Sequence, residues 1–353
     1  MKMAIRNFIL TTLFLTGITA GMGSQAAPVI SSVQTIYRGG EHGVNWYRIP
    51  ILTRANNGDL LAFTDTRHQT MHDLPGGKPI DVAIRRSSDQ GKTWSEMKLL
   101  HDFKGSLSAG DASVIVDRTT GSIFCFCNVF DNQDRSEGFH YYMQESQDNG
   151  KTWTEPKDLT HALRNPKWDA RERYTFITSG SGIQLKDGTL LHTMTYAGKK
   201  IFLFGSTDHG KTWGPIGTSV SPGDECKVIE LKDGSWLVNT RLNGSGYRWS
   251  YRTEDRGKTW SKRKDSQLPD PGCNAAIVRF NDQLLFANDR CQKDRKELIL
   301  RMSSDEGQTW SEGWIIDPGM AGYVDMAVLD RNKIALLYEA DNYRSIKFVT
   351  VTF

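Results

Sequence analysis

Four arginines, four carboxylates and one tyrosine carry the most chemistry in this chain: Arg48, Arg67, Arg241, Arg295, Asp73, Asp111, Glu225, Glu339 and Tyr323. Grouped guanidinium ions can hold an anion, and carboxylates beside a phenol can move protons or support a covalent step. Taken singly, each has a dull reading as a solvated surface charge, a strand-end charge or a packing residue. The nine are scattered between positions 48 and 339, so joint chemistry requires a scaffold that gathers them. Spacing alone leaves binding and catalysis both open.

The scaffold announces itself as a repeat. Five octapeptides follow the pattern Ser/Thr-x-Asp-x-Gly-x-Thr-Trp: Ser87–Trp94, Ser146–Trp153, Ser206–Trp213, Thr253–Trp260 and Ser303–Trp310. Their start-to-start spacings of 59, 60, 47 and 50 residues suit an architecture in which each unit is one supersecondary motif. The Asp can accept backbone N–H bonds in a β-turn, and the Gly supplies a positive φ at no steric cost. Thr suits the departing strand, and Trp offers a large apolar face. Calcium binding would need alternating carboxylates and a terminal Glu, which these segments lack.

Hairpin turns at Asn57-Gly58, Thr120-Gly121, Asp187-Gly188, Asp233-Gly234, Asn281-Asp282 and Arg331-Asn332 support the same frame. The first five each precede one octapeptide. Each unit reads as strand, turn, strand, loop, strand, octapeptide turn, strand. The sixth hairpin, Met326–Glu339, is followed by one more strand, Ile346–Phe353, and Val33–Tyr37 is expected to supply the missing fourth. The predicted fold is therefore all-β: a six-bladed β-propeller of four-stranded antiparallel blades, closed by the N-terminal strand joining the last blade.

In such a blade the octapeptide turns mark one rim, and the second-to-third loops and blade links mark the other. Arg48, Asp111, Glu225 and Tyr323 enter first strands, which lie innermost. Arg67 and Asp73 lie in a long second-to-third loop. Arg241, Arg295 and Glu339 lie at or just beyond the ends of second strands. All nine are thus expected on the rim opposite the octapeptides, where loops on a rigid scaffold commonly carry function.

Composition narrows the classes. The formal net charge is +3 for all 353 residues and about +1 without residues 1–26, which contain Lys2 and Arg6. That balance leaves no footprint for nucleic acid, so an anion preference must come from locally placed arginines. Residues 1–26 read as a secretory signal, with a basic start, an apolar stretch from Phe8 to Ala20 and small residues at Ser24-Gln25-Ala26. Residues 27–353 form the propeller, and no stretch is long enough to span a membrane. Five cysteines in an exported chain suggest disulfides, but the number is odd, and Cys125 and Cys127 sit two apart on one strand. Free, buried thiols are expected. His68 and His72 have the spacing of helical metal ligands but lie in a Gly- and Pro-containing loop, so no metal or other cofactor is expected.

The sequence resembles the bacterial-type exo-α-sialidases over essentially the whole mature chain. The resemblance rests on Tyr47-Arg48-Ile49-Pro50, on the five octapeptides (the family's Asp-boxes), and on the segments ECKVIELKDGSWLVNTR, DRKELILRMSSDEGQTW and GYVDMAVLDRNKIALLYE. It implies that Arg48, Arg241 and Arg295 clamp the carboxylate of sialic acid, with Glu339 steadying Arg48. It implies Tyr323 as nucleophile, Glu225 as its base and Asp73 as acid/base, with Arg67 and Asp111 lining the pocket. The implied activity is release of terminal sialic acid from sialylated glycoproteins, glycolipids or oligosaccharides, with retention and through a tyrosyl intermediate, by a secreted or periplasmic protein. A trans-sialidase, a hydrolase of a related nonulosonic acid, and a non-catalytic sialoglycan-binding propeller are the alternatives. Three departures from the family pattern bear on pocket shape: Thr178-Ser179-Gly180-Ser181-Gly182 where Gly-Pro-Gly is common, Ala112 after Asp111, and Cys226 after Glu225.

Overall fold

The computed structural model describes residues 27–76 and 79–353, so the expected export signal lies outside the described residues. The described chain is an all-β propeller. Its first sheet runs Trp46–Arg54, Leu60–Arg67, Ile80–Ser87, Lys98–His101. The second is built on Leu107–Val116, Ile123–Asp131 and Phe139–Ser146. The third is built on Leu190–Tyr196, Lys200–Ser206 and Gly214–Val220, and the fourth runs Cys226–Glu230, Trp236–Thr240, Tyr247–Thr253, Ser261–Pro269.

The remaining strands join in one eight-stranded sheet because a single long strand, Trp314–Asp330, is shared. Its first part, as far as Met320, pairs with Lys296–Ser303; from Ala321 onward it pairs with Lys333–Ala340. Ser345–Thr352 completes the sheet and accepts two N-terminal strands, Val29–Ile30 and Gln34–Arg38. Gln34–Arg38 overlaps the expected strand Val33–Tyr37, shifted by one residue.

Apolar clusters lie between successive sheets. Ile51, Phe63 and Ile84 of the first meet Val114 and Cys125 of the second. Phe124 and Phe126 meet Leu190, Phe204 and Trp213 of the third. Leu191 and Leu203 meet Val228 and Val238 of the fourth, and Ile229 and Leu237 meet Leu284 and Phe286. Leu52 and Leu60 of the first sheet also pack with Leu337 and Phe348 of the last. Each fully buried side chain of this size contributes about 1.5–3 kcal/mol relative to exposure.

The octapeptides explain how neighbouring sheets dock. In the first, Asp89 accepts from the Thr93 N–H at 2.9 Å and the Thr93 hydroxyl at 2.7 Å. Gly91 has φ 86°, and a Cβ there would lie 2.3 Å from the Phe348 ring of the last sheet. Gly210 stands in the same way against Phe124, at 2.1 Å. Glycine is thus needed twice over, for the turn and for the close approach. The residue before the glycine is also left-handed in all five copies, for example Gln90 at φ 61° and Arg256 at φ 61°. Two successive positive φ values mark a type I′ geometry, which the Gly alone did not reveal.

The third sheet departs from the expected pattern. Its first strand is broken: Ile183–Gln184 pairs with Leu190–Tyr196, whereas Gly180–Ser181 pairs parallel with Leu107–Val116 of the second sheet. The break coincides with the Thr178–Gly182 departure. Four of the cysteines are free and buried, while Cys291 is free but only half-buried. His68 is used structurally, with Nδ1 3.0 Å from the Gly43 carbonyl oxygen and Nε2 3.6 Å from Asp81.

Candidate active site

Three innermost strands are irregular where they carry a site residue. The pairing register slips between Arg48 and Ile51, between Gly110 and Ser113, and between Ala321 and Val324. Ile49 and Asp111 take φ 58° and 51° at the first two slips. A bulge bends a strand and re-aims its side chains. Here the slips present Arg48, Asp111 and Tyr323 to a common centre.

At that centre the Tyr323 hydroxyl donates to Glu225 Oε2 at 2.5 Å. Arg241 Nη1 lies 3.0 Å from the Tyr323 oxygen and 2.7 Å from Glu225 Oε2, so one guanidinium touches both partners. The guanidinium carbons of Arg48, Arg241 and Arg295 stand 5.7, 5.7 and 5.3 Å from the Tyr323 ring centroid. Arg241 and Arg295 both donate to the carbonyl oxygen of Gly272, at 3.3 and 3.1 Å. Three cations therefore encircle one phenol.

Glu339, fully buried, organises this group from beneath. Its carboxylate accepts from Arg48 Nε at 2.8 Å and from the backbone N–H groups of Ile49 and Tyr323, both at 2.9 Å. A Cβ on Gly322 would lie 2.3 Å from Glu339 Oε2, so glycine there lets the carboxylate approach the strand.

Asp73 completes the rim, with its side chain 59% exposed. Arg67 Nη1 donates to it at 2.6 Å and Arg48 Nη1 at 3.4 Å. Asp111 packs nearby, its backbone N–H donating to Asp65 at 3.0 Å. All nine residues expected on one rim are thus brought into one contiguous group.

Burial pushes the Tyr323 phenol well above its usual range; Arg241 pulls it down and Glu225 pushes it up. Burial likewise raises Glu225, against the opposing charge of Arg241. Burial thus favours the neutral phenol, which donates its hydrogen bond to Glu225. Asp73 behaves oppositely: desolvation raises it, but Arg67 and Arg48 together outweigh that and hold it below the usual range. Burial, together with the charges of Asp65, Glu225 and Asp73, pushes Asp111 well up.

Two participants escaped sequence reasoning. Asp65, buried beneath the rim, accepts from Arg67 Nη2 at 2.9 Å and from the Asp111 amide. Its alternation with Arg67 along one strand was a usable signal. Tyr343 lies with its ring 4.2 Å from the Arg48 guanidinium carbon and its hydroxyl 3.5 Å from Arg295 Nη1. It follows two other left-handed residues, Asp341 and Asn342, in a turn that no motif marks.

The sequence profile described as a BNR repeat-like domain matches residues 77–335. The chain belongs to that family. A sialidase of Micromonospora viridifaciens is 34% identical, covering 92% of this chain and 55% of that protein. A sialidase of Bacteroides fragilis (strain YCH46) is 29% identical, covering 83% and 60%. The chain thus spans little more than half the length of these relatives. Among solved structures, the Hadza microbial sialidase Hz136 superposes with a TM-score of 0.80 at 27% identity, covering 91% of this chain and 68% of that one. A leech intramolecular trans-sialidase, with a TM-score of 0.76 at 17% identity, shares the fold. The resemblance to bacterial-type sialidases stated from the motifs holds for this member of the BNR repeat-like family.

Proposed function

We propose that this chain is an exo-α-sialidase that releases terminal sialic acid from sialylated glycans. One observation carries the reading: a phenol hydrogen-bonded at 2.5 Å to a buried carboxylate, inside a ring of three arginines. Guanidinium forks pair with a carboxylate bidentately, and each charge-assisted bond contributes about 1.5–3 kcal/mol. Arg48, Arg241 and Arg295 therefore favour a sugar whose anomeric carbon bears a carboxylate, despite the near-neutral net charge. Arg67 and Asp111 line the wall for the other substituents.

An Asp or Glu nucleophile would approach that carbon against like charge; the neutral Tyr323 phenol does not. As its oxygen attacks, Glu225 Oε2 takes its proton and Arg241 stabilises the charge developing on the oxygen. Asp73 gives a proton to the leaving oxygen. Water, deprotonated by Asp73, then displaces the tyrosine from the anomeric carbon as Glu225 returns its proton to the departing Tyr323 oxygen, so two inversions give retention. Asp73 needs a proton for the first step, yet Arg67 and Arg48 hold it ionised in the free site. A substrate carboxylate entering the clamp engages Arg48 and adds negative charge beside Asp73. Both effects raise Asp73 toward protonation.

The finer architecture follows the same reading. Dividing the eight-stranded sheet at Ala321 gives six blades, the last closed by Gln34–Arg38 on Ser345–Thr352. Apolar packing of Leu52 and Leu60 against Leu337 and Phe348 supports a ring without free edges. With residues 1–26 as signal, the protein works outside the cytoplasm, secreted or periplasmic.

Incubation with 3′- and 6′-sialyllactose tests the proposal. Free sialic acid and lactose are expected. A 2,7-anhydro product would replace hydrolysis with intramolecular transfer, and binding without cleavage would favour the lectin alternative.

A further inference from the structure

Of the three arginines around Tyr323, two are held by carboxylates and one is not. Arg48 Nε donates to Glu339 at 2.8 Å, and Arg241 Nη1 to Glu225 at 2.7 Å. Arg295 lies in the segment that joins Gln283–Asp289 to Lys296–Ser303. Among the described contacts its guanidinium has two hydrogen-bond partners. Nη2 donates to the Gly272 carbonyl oxygen at 3.1 Å, and Nη1 to the Tyr343 hydroxyl at 3.5 Å.

Tyr343 is in turn seated on the firmly held Arg48. Its ring centroid lies 4.2 Å from the Arg48 guanidinium carbon, well within cation–π range. The ring passes close to the strand that carries the nucleophile: a Cβ on Gly322 would lie 3.2 Å from Tyr343 Cε1. The turn beneath it is tied on both sides. Lys347 Nζ bonds Asp341 Oδ1 at 3.0 Å, and the Gly39 N–H donates to the Arg344 carbonyl oxygen at 2.6 Å. Asp341, Asn342 and Tyr343 take φ of 52°, 54° and 64°. Asp and Asn accept left-handed backbone readily, but a bulky aromatic residue does not. Such a conformation persists only where its surroundings impose it. Here it lays the phenol on Arg48 with the hydroxyl toward Arg295.

We propose that Tyr343 is a positioning residue of the clamp: seated on Arg48, its hydroxyl holds Arg295 so that both guanidinium groups face one ligand carboxylate. The inference rests on the sialidase reading above, which makes Arg48 and Arg295 ligand-binding groups. Bidentate pairing needs a fork presented in a defined plane, and an arginine that meets its ligand unheld loses rotamer freedom on binding. Tyr343 removes part of that freedom before the ligand arrives. A ring that merely covered Arg48 would make the hydroxyl dispensable.

The test pairs calorimetric binding of 2,3-didehydro-2-deoxy sialic acid with steady-state turnover of sialyllactose by the full chain. Tyr343→Phe keeps the ring on Arg48 and should leave the melting temperature unchanged. It should weaken binding of the analogue about tenfold, with KM raised to match and kcat within about twofold, since the contact is made alike in ground and transition states. Added to Arg295→Met, the same change should cost less than about twofold, because the hydroxyl then has nothing to hold. Unchanged affinity in Tyr343→Phe, or an equal loss on both backgrounds, overturns the positioning role. Wild-type protein that neither binds the analogue nor cleaves sialyllactose would overturn the sialidase reading, and this inference with it.

Discussion

Glu339 bonds the backbone N–H of Tyr323 at 2.9 Å while its other oxygen holds Arg48. The proposed carboxylate clamp and the proposed nucleophile therefore share one buried anchor. Glu339→Ala leaves Arg48 without its buried partner, a loss of about 3–5 kcal/mol. Denaturant unfolding should show that loss, and any folded fraction should bind a sialic acid analogue weakly. Wild-type stability together with wild-type affinity would separate the two functions.

Arg295 differs from its two partners in being held by a carbonyl and a phenol, with no carboxylate hydrogen-bonded to it among the described contacts. Its charge is accordingly the one most available to a ligand. Arg295→Lys preserves charge but loses the planar fork, so binding of a sialic acid analogue should weaken by about 2 kcal/mol, read by calorimetry. An unchanged dissociation constant would remove Arg295 from the clamp.

Asp73→Asn should slow substrates with poor leaving groups about 10²-fold more than activated aryl sialosides, since only the former need a proton donor. Equal losses on both would argue against the acid role. Because Arg67 and Arg48 lower Asp73 in the free protein, the alkaline limb of kcat should lie above that of kcat/KM. The first reports the complex, in which the substrate carboxylate has raised Asp73; the second reports the free protein.

The octapeptide turns make a prediction about acid stability. Hydrogen bonds from Thr93 lower Asp89 to about 2, and those from Thr212 lower Asp208 to about 2. A carboxyl lowered by folding contributes stability that is complete above its unfolded value and lost as pH falls through its folded value. The melting temperature should therefore drop between about pH 4 and pH 2. Asp208→Asn should lower it at neutral pH and flatten that drop; a parallel curve would contradict the assignment.

The legible part of this molecule is what repeats or what carries a motif. Asp-Gly turns and alternating strands are local, so the octapeptides located the sheets and the rim on which Arg48 and Tyr323 would meet. What stayed hidden is non-local. The parallel pairing of Gly180–Ser181 with the second sheet depends on a broken strand, and Tyr343 reaches Arg48 only through a left-handed turn.

Central to the account is a covalent bond between the Tyr323 oxygen and the anomeric carbon. Incubation with a 2,3-difluorosialic acid, followed by intact-mass measurement and peptide mapping, tests it directly. One added glycosyl group on Tyr323 is predicted, absent in Tyr323→Phe, which should also lose at least about 10³-fold in turnover. An adduct on a carboxylate, or near-normal turnover by Tyr323→Phe, would contradict it.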